Sequence, residues 1–214
     1  MRNKETRPLP SPLYAIFDPS QARGRPPSLI ARQLLEGGAR IIQLRAKEMA
    51  AKDSLDLACE ARELCRAAGC LFIVNDRVDI ALAAGAGGAH LGQEDLPLYI
   101  ARKLMGRERI IGISTHDLAQ AREAEQGGAD YIGFGPIFGT TTKETGYSAR
   151  GLTMLKEIRQ AVKIPIVAIG GINEANVTQV WQAGADSAAI ISDLMAADDV
   201  AAKVRRILSL HRAS

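Results

Sequence analysis

Short apolar runs alternate with longer amphipathic segments along the whole chain. The runs are Leu13–Phe17, Ile41–Leu44, Leu71–Val74, Ala89–Leu91, Ile110–Ile113, Tyr131–Phe134, Ile166–Ile169 and Ala188–Ile191. Each has the length of a strand. Most are rich in β-branched residues, whose stiff side chains suit a pleated sheet. The segments between them are rich in Ala, Leu, Glu and Arg, with apolar residues at helical spacing. Eight strand–helix units in about 200 residues predict a (β/α)₈ barrel of the TIM class. An open doubly wound sheet also alternates, but it seldom has eight strands with helices this short.

A weak repeat sets the register. Gly38-Ala39-Arg40, Gly85-Ala86-Gly87, Gly128-Ala129-Asp130 and Gly184-Ala185-Asp186 precede the second, fourth, sixth and eighth runs. A glycine there can end a helix in a left-handed cap.

Composition narrows the class. The 214 residues are enough for one large domain with a sizeable core. Aromatics are only 4%, so Ala, Leu, Ile and Val must build that core. A net charge of +3 is too small to argue for nucleic acid. No apolar run approaches the length of a membrane span. Residues 1–12 carry three basic residues and three prolines, and read as a flexible arm before a single domain, 13–214. The arm has no apolar signal core, which points to the cytoplasm. Cys59, Cys65 and Cys70 form no CxxC pair, so reduced thiols are expected rather than a disulfide scaffold or a zinc site. The basic stretch from Lys203 to Arg212 reads as a solvated helix face.

In a barrel the chemistry sits where strands end. The second run ends in Gln43-Leu44-Arg45-Ala46-Lys47. Alternation puts Gln43, Arg45 and Lys47 on one side, a strong anion site unless they form a surface salt-bridge ladder. The third ends in Asn75-Asp76-Arg77 and the fourth in Gly92-Gln93-Glu94-Asp95. Adjacent strands lie about 5 Å apart, so Asp76 and Asp95 can reach one ion. Two carboxylates with waters and phosphate oxygens suit Mg²⁺. The other reading is that both aspartates cap the following helices. Ser114 can bind an anion or cap a helix. His116 offers a general base or a structural contact at a helix start. His90 lies inside a strand and reads as a packed or bridging residue. The sixth run leads into Gly135 and the loop from Gly139 through Thr140, Thr141, Thr142 and Lys143 to Gly151, a candidate lid. Gly133 and Gly135 would let a ligand ring approach the backbone. Gly170-Gly171 and Ser192 make a second, backbone-based anion site.

These residues resemble one family. Gln43-Leu44-Arg45-Ala46-Lys47, Val74-Asn75-Asp76-Arg77, His90-Leu91-Gly92-Gln93-Glu94-Asp95, Gly112-Ile113-Ser114-Thr115-His116, Tyr131 to Lys143 and Ala168-Ile169-Gly170-Gly171-Ile172 are similar, in order, to the thiamine-phosphate synthases. The resemblance implies a transferase of thiamine biosynthesis. Such an enzyme joins hydroxymethylpyrimidine diphosphate to thiazole phosphate, or its carboxylated form, and releases diphosphate. It implies that Gln43, Arg45, Lys47, Asn75, Ser114 and Lys143 hold the pyrimidine diphosphate. Arg45, Lys47 and Lys143 would stabilise the departing charge, and Asp76 and Asp95 would bind Mg²⁺. Thr140, Thr141, Thr142, Gly171, Ile191 and Ser192 would hold the thiazole phosphate. The expected partners are small molecules, not nucleic acid or membrane, with a homo-oligomer left open.

Two positions depart from the family pattern. Gly139 replaces a usual Pro, and Asp193 replaces a small apolar residue beside the phosphate site. That carboxylate would repel phosphate unless its side chain turns away. Two other functions share this fold and surface. A thiazole tautomerase-like paralogue would carry a His near Pro136 and would lack the metal and diphosphate residues. A non-catalytic sensor of thiamine precursors would not need a metal pair.

Overall fold

The computed structural model describes residues 8–139 and 148–212. Eight strands form a closed barrel: β1 (Leu13–Phe17), β2 (Ile41–Leu44), β3 (Leu71–Asn75), β4 (Gly88–Leu91), β5 (Ile110–Thr115), β6 (Tyr131–Phe134), β7 (Ile166–Ile169) and β8 (Ser187–Ile190). Each strand pairs in parallel with the next, and β8 closes on β1. Four strands end differently from the apolar runs. The sheet ladder reaches polar residues that hydropathy ignores: Asn75 pairs with His90, Thr115 with Phe134 and Ser187 with Val167.

Helices cover the outside: α1 (Pro27–Glu36), α2 (Ala51–Ala67), α3 (Val78–Ala83), α4 (Leu98–Met105), α5 (Leu118–Gln126), α6 (Gly151–Ala161), α7 (Val177–Gln182), α8 (Ser192–Met195) and α9 (Val200–Arg212). The strands alternate between two cores. Leu13, Ala15, Phe17, Ile42, Leu44, Phe72 and Val74 face the helices. Tyr14, Ile16, Ile41, Ile73, Tyr131, Val167 and Ala189 fill the barrel itself. The helices meet the outer core along one stripe. In α2 it is Ser54, Leu57, Ala58, Ala61 and Cys65, spaced as one helical face requires.

The repeated glycines close helices as expected. Gly38, Gly85, Gly128 and Gly184 all have positive φ. In each case the glycine N–H and the next N–H bond back to the last helical turn, as in Gly38 to Leu35 and Ala39 to Leu34. This is the Schellman closure. Twice the repeat goes further. Asp130 accepts from Ile111 N–H at 2.8 Å and pairs with Arg102 of α4 at 2.5 Å. Asp186 accepts from Ile166 N–H at 2.8 Å and pairs with Arg159 of α6 at 2.8 Å. Each aspartate thus fastens the N-terminal end of the preceding strand to a helix. These contacts form the barrel floor.

Of the expected arm, residues 1–7 lie outside the described residues. Leu9 packs on the barrel interior, and the Pro12 carbonyl accepts from Ala188 N–H and Trp181 Nε1.

Candidate active site at the barrel mouth

A cavity of about 950 Å³, part of it open to solvent, lies inside the strands and reaches the C-terminal mouth. Gln43, Arg45, Lys47, Asn75 and Ser114 line it, as do Gly171, Ile191 and Ser192. Residues expected from separate stretches of sequence to bind two anions therefore line one space.

On the β2 side each cation has a neighbour that positions it. Arg45 pairs with Asp18, which is almost fully buried at the end of β1. Asp18 also accepts from the Ser20 backbone and hydroxyl, so its carboxylate is fixed in place. Lys47 reaches Asp76 at 2.9 Å. Asp76 has a left-handed backbone, φ 62°, a conformation that costs a non-glycine residue about 1 kcal/mol. Its N–H is held by the His90 carbonyl at 2.8 Å. Asp95 accepts from Gly92 N–H at 2.6 Å. Burial, and then the Asp76 carboxylate beside it, push the Asp95 carboxyl above the usual range; Gly92 N–H and Lys47 act the other way.

Neither aspartate caps a helix. Arg77 precedes α3 and Pro97 precedes α4, both without a side-chain cap bond. What remains is a carboxylate pair next to a lysine. Such a pair suits a hard divalent cation. Among the described residues no cluster of three His, Cys, Asp or Glu surrounds it. The remaining ligands of an ion there would come from elsewhere, such as water or substrate oxygens.

Polar side chains link Gln43 to Ser114 through the barrel interior. Gln43 Nε2 donates to Tyr14 Oη at 2.9 Å, and Tyr14 and Tyr131 hydroxyls meet at 2.7 Å. Tyr131 Oη lies 3.0 Å from His90 Nδ1, and His90 Nε2 lies 2.9 Å from Ser114 Oγ. Burial pushes the Tyr14 hydroxyl well above its ordinary pKa. It does the same to Tyr131, with Tyr14 adding to the effect. Two glycines make room for these rings. A Cβ on Gly112 would run into the Tyr131 ring, and one on Gly133 would come within 2.8 Å of His90. Gly133 was expected to admit a ligand ring; its space is bounded by the protein's own imidazole.

His116 also lines the cavity. Its Nδ1 donates to the Gly135 carbonyl at 2.6 Å, and its backbone N–H donates to Gln120 Oε1. Asp117 caps α5 through Gln120 N–H. The structural expectation for His116 fits these contacts.

On the opposite side, Gly170 and Gly171 have φ of 101° and 65°. Side chains there would clash with Pro136 and Phe138. Ser192 opens α8 as expected. Asp193 turns away from the mouth: it pairs with Lys203 of α9 at 2.9 Å and accepts from Glu174 N–H at 2.9 Å. Its charge is therefore compensated on the outer side of the mouth. Thr140, Thr141, Thr142 and Lys143, with most of the expected lid, lie outside the described residues.

The sequence reading missed Tyr14, Ile16 and Tyr131 as cavity residues. The signal was present in strand alternation. Counting back two residues from Gln43 and Ser114 reaches Ile41 and Gly112, and the same parity in β1 and β6 marks Tyr14 and Tyr131.

Fold and site together define a phosphate-handling (β/α)₈ barrel with a cationic, carboxylate-bearing mouth. The family model described as thiamine monophosphate synthase matches residues 13–194. The chain belongs to that family. It is 47% identical over 198 residues to the thiamine-phosphate synthase of Chloroflexus aurantiacus, covering 92% of this chain and 91% of that protein. It is 51% identical over 195 residues to the thiamine-phosphate synthase of Moorella thermoacetica, covering 91% and 93%. Among solved structures, the thiamine phosphate pyrophosphorylase of Pyrococcus furiosus superposes with a TM-score of 0.86 at 38% identity, covering 94% of this chain and 96% of that one.

Proposed function

We propose that this chain is a thiamine-phosphate synthase that joins hydroxymethylpyrimidine diphosphate to thiazole phosphate and releases diphosphate. The observation that carries this reading is the convergence on one mouth of Gln43, Arg45, Lys47, Asn75 and Ser114 with Gly171, Ile191 and Ser192, and a carboxylate pair beside the first group. Family membership over nearly the whole barrel supports it.

Gln43, Asn75 and Ser114 hold and orient the pyrimidine diphosphate. Arg45, fixed by Asp18, offers a planar fork to phosphate oxygens, and Lys47 a mobile charge. Both stabilise the charge that develops on the leaving diphosphate. Asp76 and Asp95 would hold Mg²⁺, which supplies further positive charge to the diphosphate when bound. Gly171, Ile191 and Ser192 hold the thiazole phosphate across the cavity, joined by Thr140, Thr141 and Thr142; Lys143 belongs with the diphosphate. The thiazole nitrogen attacks the pyrimidine methylene carbon as the carbon–oxygen bond to diphosphate breaks. That nitrogen carries no proton to remove, so the site needs no general base. The partners of His90 and His116 agree with this: each imidazole is engaged by the protein itself. We place the enzyme in the cytoplasm on its three unpaired thiols among the described residues.

The test mixes purified protein with both substrates, with and without Mg²⁺, and reads thiamine phosphate by mass. Mg²⁺-dependent product is the expected result. Binding of both substrates without product would favour a sensor, and isomerisation of thiazole phosphate alone would favour a tautomerase.

A further inference from the structure

The cavity wall contains an unbroken line of hydrogen bonds from β2 to β5: Gln43, Tyr14, Tyr131, His90, Ser114. Such a line has a direction, because each hydroxyl has one hydrogen to give and a neutral imidazole has one donor nitrogen and one acceptor. The Gln43 amide nitrogen can only donate. Among the described residues Tyr131 Oη is the acceptor within reach of Tyr14's own buried hydrogen, so the sense that orphans no hydrogen has Tyr14 donating to Tyr131 and Tyr131 donating to His90 Nδ1. His90 then carries its hydrogen on Nε2 and donates to Ser114 Oγ. Ser114 is left as the terminal acceptor of the line, with its own hydrogen directed elsewhere.

We propose that Tyr14, Tyr131 and His90 are positioning residues that hold Ser114 as a hydrogen-bond donor toward the substrate. This rests on the proposed function, and the group that Ser114 meets is an acceptor: a phosphate oxygen or ring nitrogen of the pyrimidine diphosphate. The rings are built into place. Tyr14 and Tyr131 are at most 1% exposed. His90 stacks on Tyr131 with centroids 5.4 Å apart. Gly112 and Gly133 stand where any side chain would displace Tyr131 or His90. In the opposite sense, Ser114 would spend its hydrogen on His90 and could offer the substrate only lone pairs.

His116 supplies an internal reference. Its Nδ1 faces the Gly135 carbonyl, which can only accept, so that nitrogen is protonated. The two imidazoles at one mouth therefore hold opposite tautomers. Long-range ¹H–¹⁵N spectra of labelled protein read this directly, with His90→Gln assigning the signal. The expected result is His90 as the Nε2–H tautomer and His116 with hydrogen on Nδ1. His90 as the Nδ1–H tautomer would overturn the proposal, whether or not the protein turns over.

Kinetics give the second arm. Tyr131→Phe removes one oxygen and keeps the ring. It should lower kcat about tenfold while leaving KM for thiazole phosphate within twofold. In a Ser114→Ala background the same change should have less than a twofold effect, because it acts through Ser114. A full tenfold loss in that background would make Tyr131 merely structural. A Tyr131→Phe enzyme equal to wild type would also overturn the proposal. A wild-type protein that makes no thiamine phosphate would count against the proposed function alone, since the tautomer spectra do not need turnover.

Discussion

The two ends of this barrel solve opposite problems with the same residue types. At the floor, Asp130 is nearly buried, paired with Arg102 and bonded to Ile111 N–H; Arg102 in turn donates to the carbonyls of Arg109 and Gly128. Both floor aspartates, Asp130 and Asp186, have an arginine partner. At the mouth, Asp76 and Asp95 lie beside each other, one of them on a left-handed backbone, with Lys47 as their shared cation. That arrangement is poor for stability and good for capturing a cation and a diphosphate. In barrels generally the floor reads as stability and the mouth as chemistry. Here the division shows in how carboxylates are partnered.

The sharpest way to break this comparison is Asp95→Asn. It should cut kcat/KM about a hundredfold, comparable to losing one strong stabiliser of transition-state charge. The same change should raise Tm. The reason is the sign of the linkage. A carboxyl whose folded pKa is raised is less stable as an anion in the fold than in the unfolded chain, so at neutral pH it destabilises. Activity assays and thermal melts on one preparation check both halves. A melt that falls along with activity would place Asp95 among the structural aspartates.

Arg102→Met is the converse. It leaves the Asp130 carboxylate buried without its cation and should cost about 2–3 kcal/mol, read by denaturant unfolding. Turnover below the melting range should stay at the wild-type level. Gly128→Ala should cost about 1 kcal/mol, since φ is 86° there. A Cβ at that position meets nothing within 4 Å, so the effect isolates backbone strain.

The smallest effect refines the comparison, because part of the mouth is built like the floor. Glu174 pairs with Lys203 at 2.9 Å and Arg206 at 3.0 Å, and these partners hold its carboxyl below the usual range. Its contribution is therefore full above the ordinary Glu pKa and is lost as pH falls through the lowered folded value. Glu174→Gln should cost at most about 1 kcal/mol at pH 7, with the gap closing in acid. Melts across pH follow this directly.

Much of this organisation was legible in the sequence. Strand-length apolar runs fix the barrel, and β1, β2, β6 and β7 match to the residue. The remaining ends were misjudged where a polar residue continues the ladder, as at Asn75, Thr115 and Ser187. Charged residues at the ends of β2, β3 and β4 were found because charge at a barrel mouth is conspicuous, whereas Asp18, which follows β1 and holds Arg45, was missed. Tyr14 and Tyr131 were passed over because a tyrosine in an apolar run looks like core, and only the strand register puts both hydroxyls in one line with His90. Asp193 showed the opposite limit. Its position suggested repulsion of phosphate, but Lys203 of α9 and the Glu174 N–H, neither of which strand-end reading considers, draw the side chain away.

A calorimetric titration of the pyrimidine diphosphate, with and without Mg²⁺, against wild type and Asp95→Asn tests the account most directly. Tight binding only with Mg²⁺ is expected in the wild type, and no Mg²⁺ effect in the variant. Equal binding by both proteins with and without the metal would contradict the reading of the mouth as a place where two carboxylates sharing one lysine await a further cation.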